Sequence, residues 1–259
     1  MHMLVKLKDP QYAESLFAGW PETMVWSCLQ GVMGCVYGDA LERPETAVAF
    51  LGDFAFYAGK ATQTAALFYP EEPRKNYLIL VPQNEQWCRV IEASWGSRVQ
   101  KITRYATRKE PGTFHIERLK AAAHSLAPGY TLRQIDETLF QQCQSTAWCR
   151  DLVSQYQNHA QYERYGLGVA VLKNGELVSG ASSYSSYHGG LEIEIDTRAD
   201  HRRKGLAYAC GARLILMCLE RGLYPSWDAH NLWSLGLAQK LGYHFDHEYP
   251  AYELMTESI

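Results

Sequence analysis

The sequence predicts an α/β chain in two parts: a mixed sheet flanked by helices in the C-terminal half, preceded by a smaller α+β domain. Three observations point to it. The chain has 259 residues, long for one core and comfortable for two, since domains usually hold roughly 100–150 residues. The segment Leu126-Ala127-Pro128-Gly129 breaks a helical pattern just before a β-like start at Tyr130-Thr131-Leu132, because Pro and Gly punctuate elements. Beyond that break, strand-length apolar runs and helical patterns follow one another in the order βααβββαβαββ, the alternation of a sheet covered by helices. The expected domains are 1–128 and 129–259.

In the first half, apolar strand-like runs lie at Ala47 to Leu51, Phe54 to Ala58, Tyr77 to Val81 and Val99 to Tyr105. Gly52-Asp53 is a hairpin turn between the first two, and helical periodicity marks Gln83 to Ala93 and Ile116 to Ser125. No chemistry clusters there, and an eroded copy of the second half's fold stays open as a reading of it.

The second half begins with a short strand at 130–133, followed by helices near Ile135 to Cys143 and Cys149 to His159 and a strand from Gly166 to Leu172. Lys173-Asn174-Gly175-Glu176 leads into a strand from Leu177 to Ser185, Asn-Gly being the strongest short hairpin signal. A third strand runs from Leu191 to Thr197, and a long helix from about Lys204 to Arg221 is stopped by Gly222. A strand at Tyr224 to Trp227, a helix from Asn231 to Leu241 stopped by Gly242, and strands near Tyr243 to His247 and Ala251 to Leu254 complete the order.

Composition narrows the class. With 47% hydrophobic and 20% charged residues the chain is an ordinary globular one. A formal charge of −3 provides no global positive field for a nucleic-acid backbone or an anionic membrane. Seven cysteines, odd in number and never spaced CxxC, fit reduced thiols in a cytoplasm better than a disulfide frame or a zinc site. The N-terminus meets charges at Lys6, Lys8 and Asp9 and does not read as a signal peptide. No apolar run approaches the roughly 20 residues of a membrane span. The expectation is a soluble cytoplasmic protein with no metal, nucleic-acid or membrane partner; oligomeric state is not legible.

The most informative stretch is Asp200-His201-Arg202-Arg203-Lys204-Gly205-Leu206-Ala207, where the third strand gives way to the long helix. Three cations at a helix N-terminus face a positive dipole end, at a cost on the order of 0.3–1 kcal/mol each. A bound polyanion offsets that cost, since free N–H groups, dipole and side chains all point at the same charge. Gly205 and Ala207 leave room for phosphate oxygens at the amides. The plain alternative is a solvated basic turn. Position favours the anion: in a strand–helix–strand crossover, ligands lie beyond the carboxyl ends of the strands. Neither a Walker Lys-Ser/Thr step nor GxGxxG is present, which disfavours an NTPase or a dinucleotide enzyme.

Residues 129–255 resemble the GNAT superfamily of N-acetyltransferases. Arg202-Arg203-Lys204-Gly205-Leu206-Ala207 matches that family's phosphate loop, Q/R-x-x-G-x-G/A, and Asn231-Leu232-Trp233-Ser234 with Leu241-Gly242-Tyr243 matches its N-x-x-S/A followed by L-G-F/Y. With Trp26-Ser27-Cys28-Leu29-Gln30-Gly31 and Gly52-Asp53-Phe54-Ala55-Phe56 in the first half, the chain is also similar to a subgroup that includes zwittermicin-resistance acetyltransferases. The resemblance implies an acyl-CoA-dependent N-acyltransferase with acetyl-CoA as cosubstrate and a small-molecule amine, such as an aminated antibiotic or metabolite, as acceptor. It implies that main-chain groups of Ile195, Asp196 and Thr197 meet the pantetheine arm, that Arg202 to Ala207 hold the pyrophosphate, and that Asn231 and Ser234 lie across the cleft. Asn231 serves equally as a helix N-cap.

For the chemistry, a carboxylate can take the proton of the attacking amine. Glu192, Glu194 and Asp196 alternate on the third strand and so share one face. Mutual repulsion should raise at least one pKa, with Glu194, flanked on both sides, expected to feel it most. A solvent-facing acidic row is the other reading. The family's general-acid tyrosine falls at Ala238 here. Tyr243, Tyr249 and Tyr252 are candidate substitutes, and a thiolate of pKa near 8.5 can also leave without an acid. A non-catalytic CoA-binding or regulatory module, and a transferase using another acyl carrier, stand as alternatives.

Overall fold

The structure, a computed structural model, describes residues 3–70 and 77–255. The chain divides into two compact units, Met1–Arg104 with Glu248–Ile259 and Tyr105–His247.

The first unit holds β1 (Val5–Lys6), α1 (Thr23–Leu29), β2 (Cys35–Gly38), β3 (Thr46–Leu51), β4 (Phe54–Gly59), α2 (Gln63–Ala66), β5 (Tyr77–Pro82), α3 (Glu85–Trp95) and most of β6 (Val99–Thr107). All six β3 residues are buried, which is why the run reads as continuously apolar and not alternating. The β3–β4 turn closes at Gly52, whose φ of 59° suits glycine. Asn84 caps α3 by accepting from Gln86 N (3.0 Å) and Trp87 N (3.2 Å). Trp87, Tyr57, Leu80 and Ile91 fill the core that results.

The second unit contains α4 (Ile116–Ala123), β7 (Tyr130–Gln134), α5 (Glu137–Ser145), α6 (His159–Tyr165), β8 (Gly168–Lys173), β9 (Glu176–Tyr187) and β10 (Gly190–Thr197). These are followed by α7 (Leu206–Glu220), β11 (Tyr224–Ser226), β12 (Asp228–Ala229), α8 (Leu232–Leu241) and the start of β13 (Phe245–Met255). Asn174 and Gly175 both have positive φ (53° and 85°), as the tight β8–β9 hairpin requires. The sheet order is β11-β10-β9-β8-β7. Nearly the whole of α7 is apolar, and Cys210, Leu214 and Ile215 pack with Val171, Leu191 and Ile193 of the sheet.

Both units share a strand plan: four antiparallel strands in series, then a fifth parallel to the fourth. The helix joining fourth to fifth has 15 residues in the second unit (α7) and four in the first (α2). In the first unit β13 pairs antiparallel with β5 and lies between β5 and β6.

Three expectations change. The break expected at 128/129 lies inside the second unit, because Leu119 and Ala122 of α4 are buried in that unit's core and Pro128-Gly129 merely turns the chain from helix to strand. The helix expected over Cys149 to His159 is replaced by a 3-10 turn at Ala147–Leu152 and by α6, whose N-cap Asn158 starts it at His159. The two terminal strands are one, Phe245–Met255, and its residues from Glu248 onward belong to the first unit.

Candidate active site

Strand β10 pairs with β11 only over Gly190↔Tyr224, Leu191↔Pro225 and Glu192↔Ser226. It then continues to Thr197, while the chain beyond Ser226 turns away to pair β12 with the end of β6, Asp228↔Ala106 and Ala229↔Tyr105. Trp227 pins the parting: its carbonyl accepts from Thr107 Oγ1 at 2.6 Å, and its indole N–H donates to Ser234 Oγ at 3.1 Å. One main-chain edge of β10 from Ile193 to Thr197, including Ile195 and Asp196, is thus left without a strand partner among the described residues.

At the end of that edge the chain enters a turn and then α7. Arg203 adopts φ 60°, a left-handed conformation that costs an ordinary residue roughly 1–2 kcal/mol, and Gly205 adopts φ 78°. Alternating left-handed residues before a helix turn successive amides toward one point, an anion-binding geometry. Among the described residues no side chain caps α7, whereas His115, Asp136, Asn158 and Asn231 cap the other helices of this unit. The amides of Leu206 and Ala207 are thus available to a ligand. Open space surrounds Gly205: a Cβ there meets no atom within 4 Å. The φ of 78° suits glycine, and the open space beside it leaves room for a ligand's oxygens at the amides, as the sequence leads one to expect.

A cleft of about 600 Å³ lies over this helix end, with Thr197, Arg202, Arg203, Gly205, Leu206 and Ala207 in its wall. Arg202 Nε donates to Thr197 O (3.3 Å) and Lys204 Nζ to Asp200 O (2.9 Å), folding both side chains over the turn. Asp200, the nearby acid, is held by Arg198 at 2.8 and 3.1 Å, and this pairing keeps its carboxyl below the usual range. The loop cations are therefore not neutralised by it. Sequence reasoning missed Arg118 of α4 and Lys240 of α8, which line the same cleft; no motif marks them, because they come from elements far apart in the chain.

The second motif has structural duties. Asn231 Oδ1 accepts from Ser234 N at 2.9 Å, so the N-cap reading of Asn231 holds. Neither residue lines the cleft over α7.

Glu192, Glu194 and Asp196 lie on the strand face opposite Leu191 and Ile193, which join the core beneath α7. The residue facing Asp196 in β9 is Gly180, and a Cβ there would meet Leu152 Cδ1 of the 3-10 turn at 2.5 Å. This face is covered by the turn, so the row is not a solvated acidic face: Glu192 is 6% exposed. Burial, with the neighbouring Asp151, pushes the Asp196 carboxyl up to about 6 against the pull of Arg202. Central position on the strand, the ground for favouring Glu194, does not explain this rise. Strand neighbours two residues apart are roughly 6.6 Å away, and desolvation with a carboxylate from another element acts at the row's end instead.

Tyr243, the expected candidate acid, sits in the core of the second unit. It is 2% exposed and its hydroxyl donates to Pro225 O at 2.6 Å, and burial raises its phenol well above the usual range. Tyr252 and Tyr249 lie in the first unit, where Tyr252 donates to Glu92 (2.5 Å) and Tyr249 accepts from Arg104 (3.2 Å). Ala238 is fully buried.

A strand edge left free beside an uncapped, basic helix end suits an extended ligand that carries amides along its length and an anion at its end. The model of the GNAT acetyltransferase family matches residues 14–252, and the chain belongs to that family. It is 30% identical over 243 residues to an uncharacterized N-acetyltransferase of Bacillus subtilis, YdfB, with 89% of each chain covered. It is similar to the crystal structure of a GCN5-related N-acetyltransferase-like protein from Streptococcus suis, at 45% identity and a TM-score of 0.90 over 95% of this chain and 98% of that one. A GCN5-related N-acetyltransferase from Sphaerobacter thermophilus shares the fold, with a TM-score of 0.56 at 11% identity over 99% and 97% of the two chains.

Proposed function

We propose that this chain moves an acetyl group from acetyl-CoA to an amine of a small molecule, with the 202–207 turn holding the diphosphate and the β10 edge the pantetheine arm. The observation that supports this best is the parting of β10 from β11 directly ahead of α7's uncapped N-terminus. Pantetheine carries two amides, and an unpaired strand edge offers them ladder-type hydrogen bonds. When bound, the thioester supplies an electrophilic carbonyl and a thiolate leaving group of reference pKa near 8.5. The carboxylates of β10 take the proton of the attacking amine, and Asp196, whose pKa of about 6 lies near the working range of a base, joins Glu194 and Glu192 as candidates. An aminated antibiotic is one acceptor class to try, on the resemblance of the first half to zwittermicin-resistance enzymes.

The test has two stages. Acetyl-CoA at 100 times its dissociation constant should add about 2.7 kcal/mol to native stability, read as a thermal shift; no shift at millimolar concentration removes the proposal. An amine panel with mass detection then reads turnover, and the pH–rate profiles of Glu192→Gln, Glu194→Gln and Asp196→Asn identify the base by loss of the acidic limb. A second reading, a CoA-binding module without catalysis, is favoured by one feature: Ala238 stands where the family's acid stands, and Tyr243 is committed to Pro225. Binding without turnover of any amine would establish it.

A further inference from the structure

The cleft over α7 holds more positive charge than a diphosphate needs. Besides Arg202 and Arg203 of the turn, Arg118 and Lys240 reach its wall from two other helices, and among the described residues no carboxylate lines it. Arg118 sits in the first turn of α4, the unfavourable end of that helix dipole for a cation. Its neighbour Glu117 does not compensate it, because Glu117 pairs with Lys120 at 2.9 Å. Arg118 and Lys240 are both exposed, and neither side chain makes an ion pair among the described residues. Two uncompensated cations converging on one wall, beyond the amides that suit a diphosphate, match a second anionic group on the same ligand.

We infer that Arg118 and Lys240 bind the 3′-phosphate of the CoA ribose and so select free CoA thioesters over thioesters that lack it, such as those on a carrier protein. The inference rests on the acetyl-CoA reading above. A phosphate monoester carries about −1.5 to −2 charge at pH 7. A planar guanidinium can meet two of its oxygens at once, and an ammonium adds a point charge without fixed direction. The turn recognises the diphosphate that CoA and 3′-dephospho-CoA share; the α4–α8 side recognises the 3′-phosphate that only full CoA has.

The test is calorimetry at physiological salt with the parent protein, Arg118→Gln, Lys240→Gln and the double variant, each titrated with CoA and with 3′-dephospho-CoA. The parent should bind CoA about tenfold more tightly than dephospho-CoA. The double variant should bring the two ligands to within about twofold, by weakening CoA while leaving dephospho-CoA nearly unchanged. Equal affinities in the parent overturn the inference with no variant needed, and so does a preference that survives both substitutions. If the parent binds neither ligand, the acetyl-CoA reading itself fails and the inference falls with it.

Discussion

The hydroxyl of Tyr243 donates to the main-chain carbonyl of Pro225 at 2.6 Å, tying the residue just past the Gly242 cap of α8 to the short strand β11. This bond stabilises β11 where it still pairs with β10, one step before the two strands part. Tyr243→Phe should therefore destabilise the protein by about 1–2 kcal/mol, the usual range for losing a buried hydrogen bond, measured by urea unfolding. Turnover of a responsive amine and the alkaline limb of its pH–rate profile should stay as in the parent, since this hydroxyl already donates to a main-chain carbonyl. A lost alkaline limb would restore Tyr243 as an acid.

Asp196 links the site to pH-dependent stability. Its carboxyl sits at about 6 in the folded chain against an ordinary value of 3.8, so between those values the native state binds the proton more tightly than the unfolded state. Stability from this group is thus greatest at low pH, falls as pH rises toward about 6, and is level above it. A rise of that size corresponds to roughly 3 kcal/mol. Relative to the parent, Asp196→Asn should gain on that order between pH 4 and pH 7, measured by denaturant unfolding at the two values; a pH-independent difference contradicts the raised pKa.

Two substitutions in the turn ahead of α7 should separate backbone strain from charge. Gly205→Ala places a Cβ in open space but at φ 78°, so it should cost about 1 kcal/mol of stability without any clash. Arg203→Gly releases a left-handed arginine and should leave stability of the free protein within about 1 kcal/mol of the parent, while weakening acetyl-CoA because a cation is gone. Thermal unfolding with and without acetyl-CoA separates the two effects.

The thiols offer a test of packing. Six of the seven cysteines are buried and Cys35 alone is half-buried. Burial pushes the Cys210 and Cys218 thiols up to about 12, far from the thiolate form that reacts. A disulfide reagent should therefore label at most one thiol rapidly in the native protein and seven in denaturant. Rapid labelling of several would mean that the α5 or α7 packing opens readily.

The strands and helices that the sequence shows best are those whose signal is local. Asn174-Gly175 closes its hairpin because both residues tolerate positive φ, and Gly222 and Gly242 stop their helices for the same reason. The phosphate turn is legible because charge, glycine and position coincide within six residues. The segment from Cys149 to His159 reads as a helix only in sequence, because its apolar residues serve a compact 3-10 turn, where Leu152 fills the space left by Gly180, and no helical face.

By itself the sequence determined the order of elements from β8 to β11, the basic turn before α7 and the alternation that sets Glu192, Glu194 and Asp196 on one face. Each depends on residues within a few positions of one another. Only the tertiary structure decided that β13 completes the first unit's sheet, that Leu152 packs against Gly180 opposite Asp196 while Asp151 raises the Asp196 carboxyl, that Tyr243 is committed to Pro225, and that Arg118 and Lys240 join the anion cleft. Desolvation, charge convergence and strand pairing are properties of what surrounds a residue in space, and here the neighbours arrive from segments tens to more than a hundred positions away.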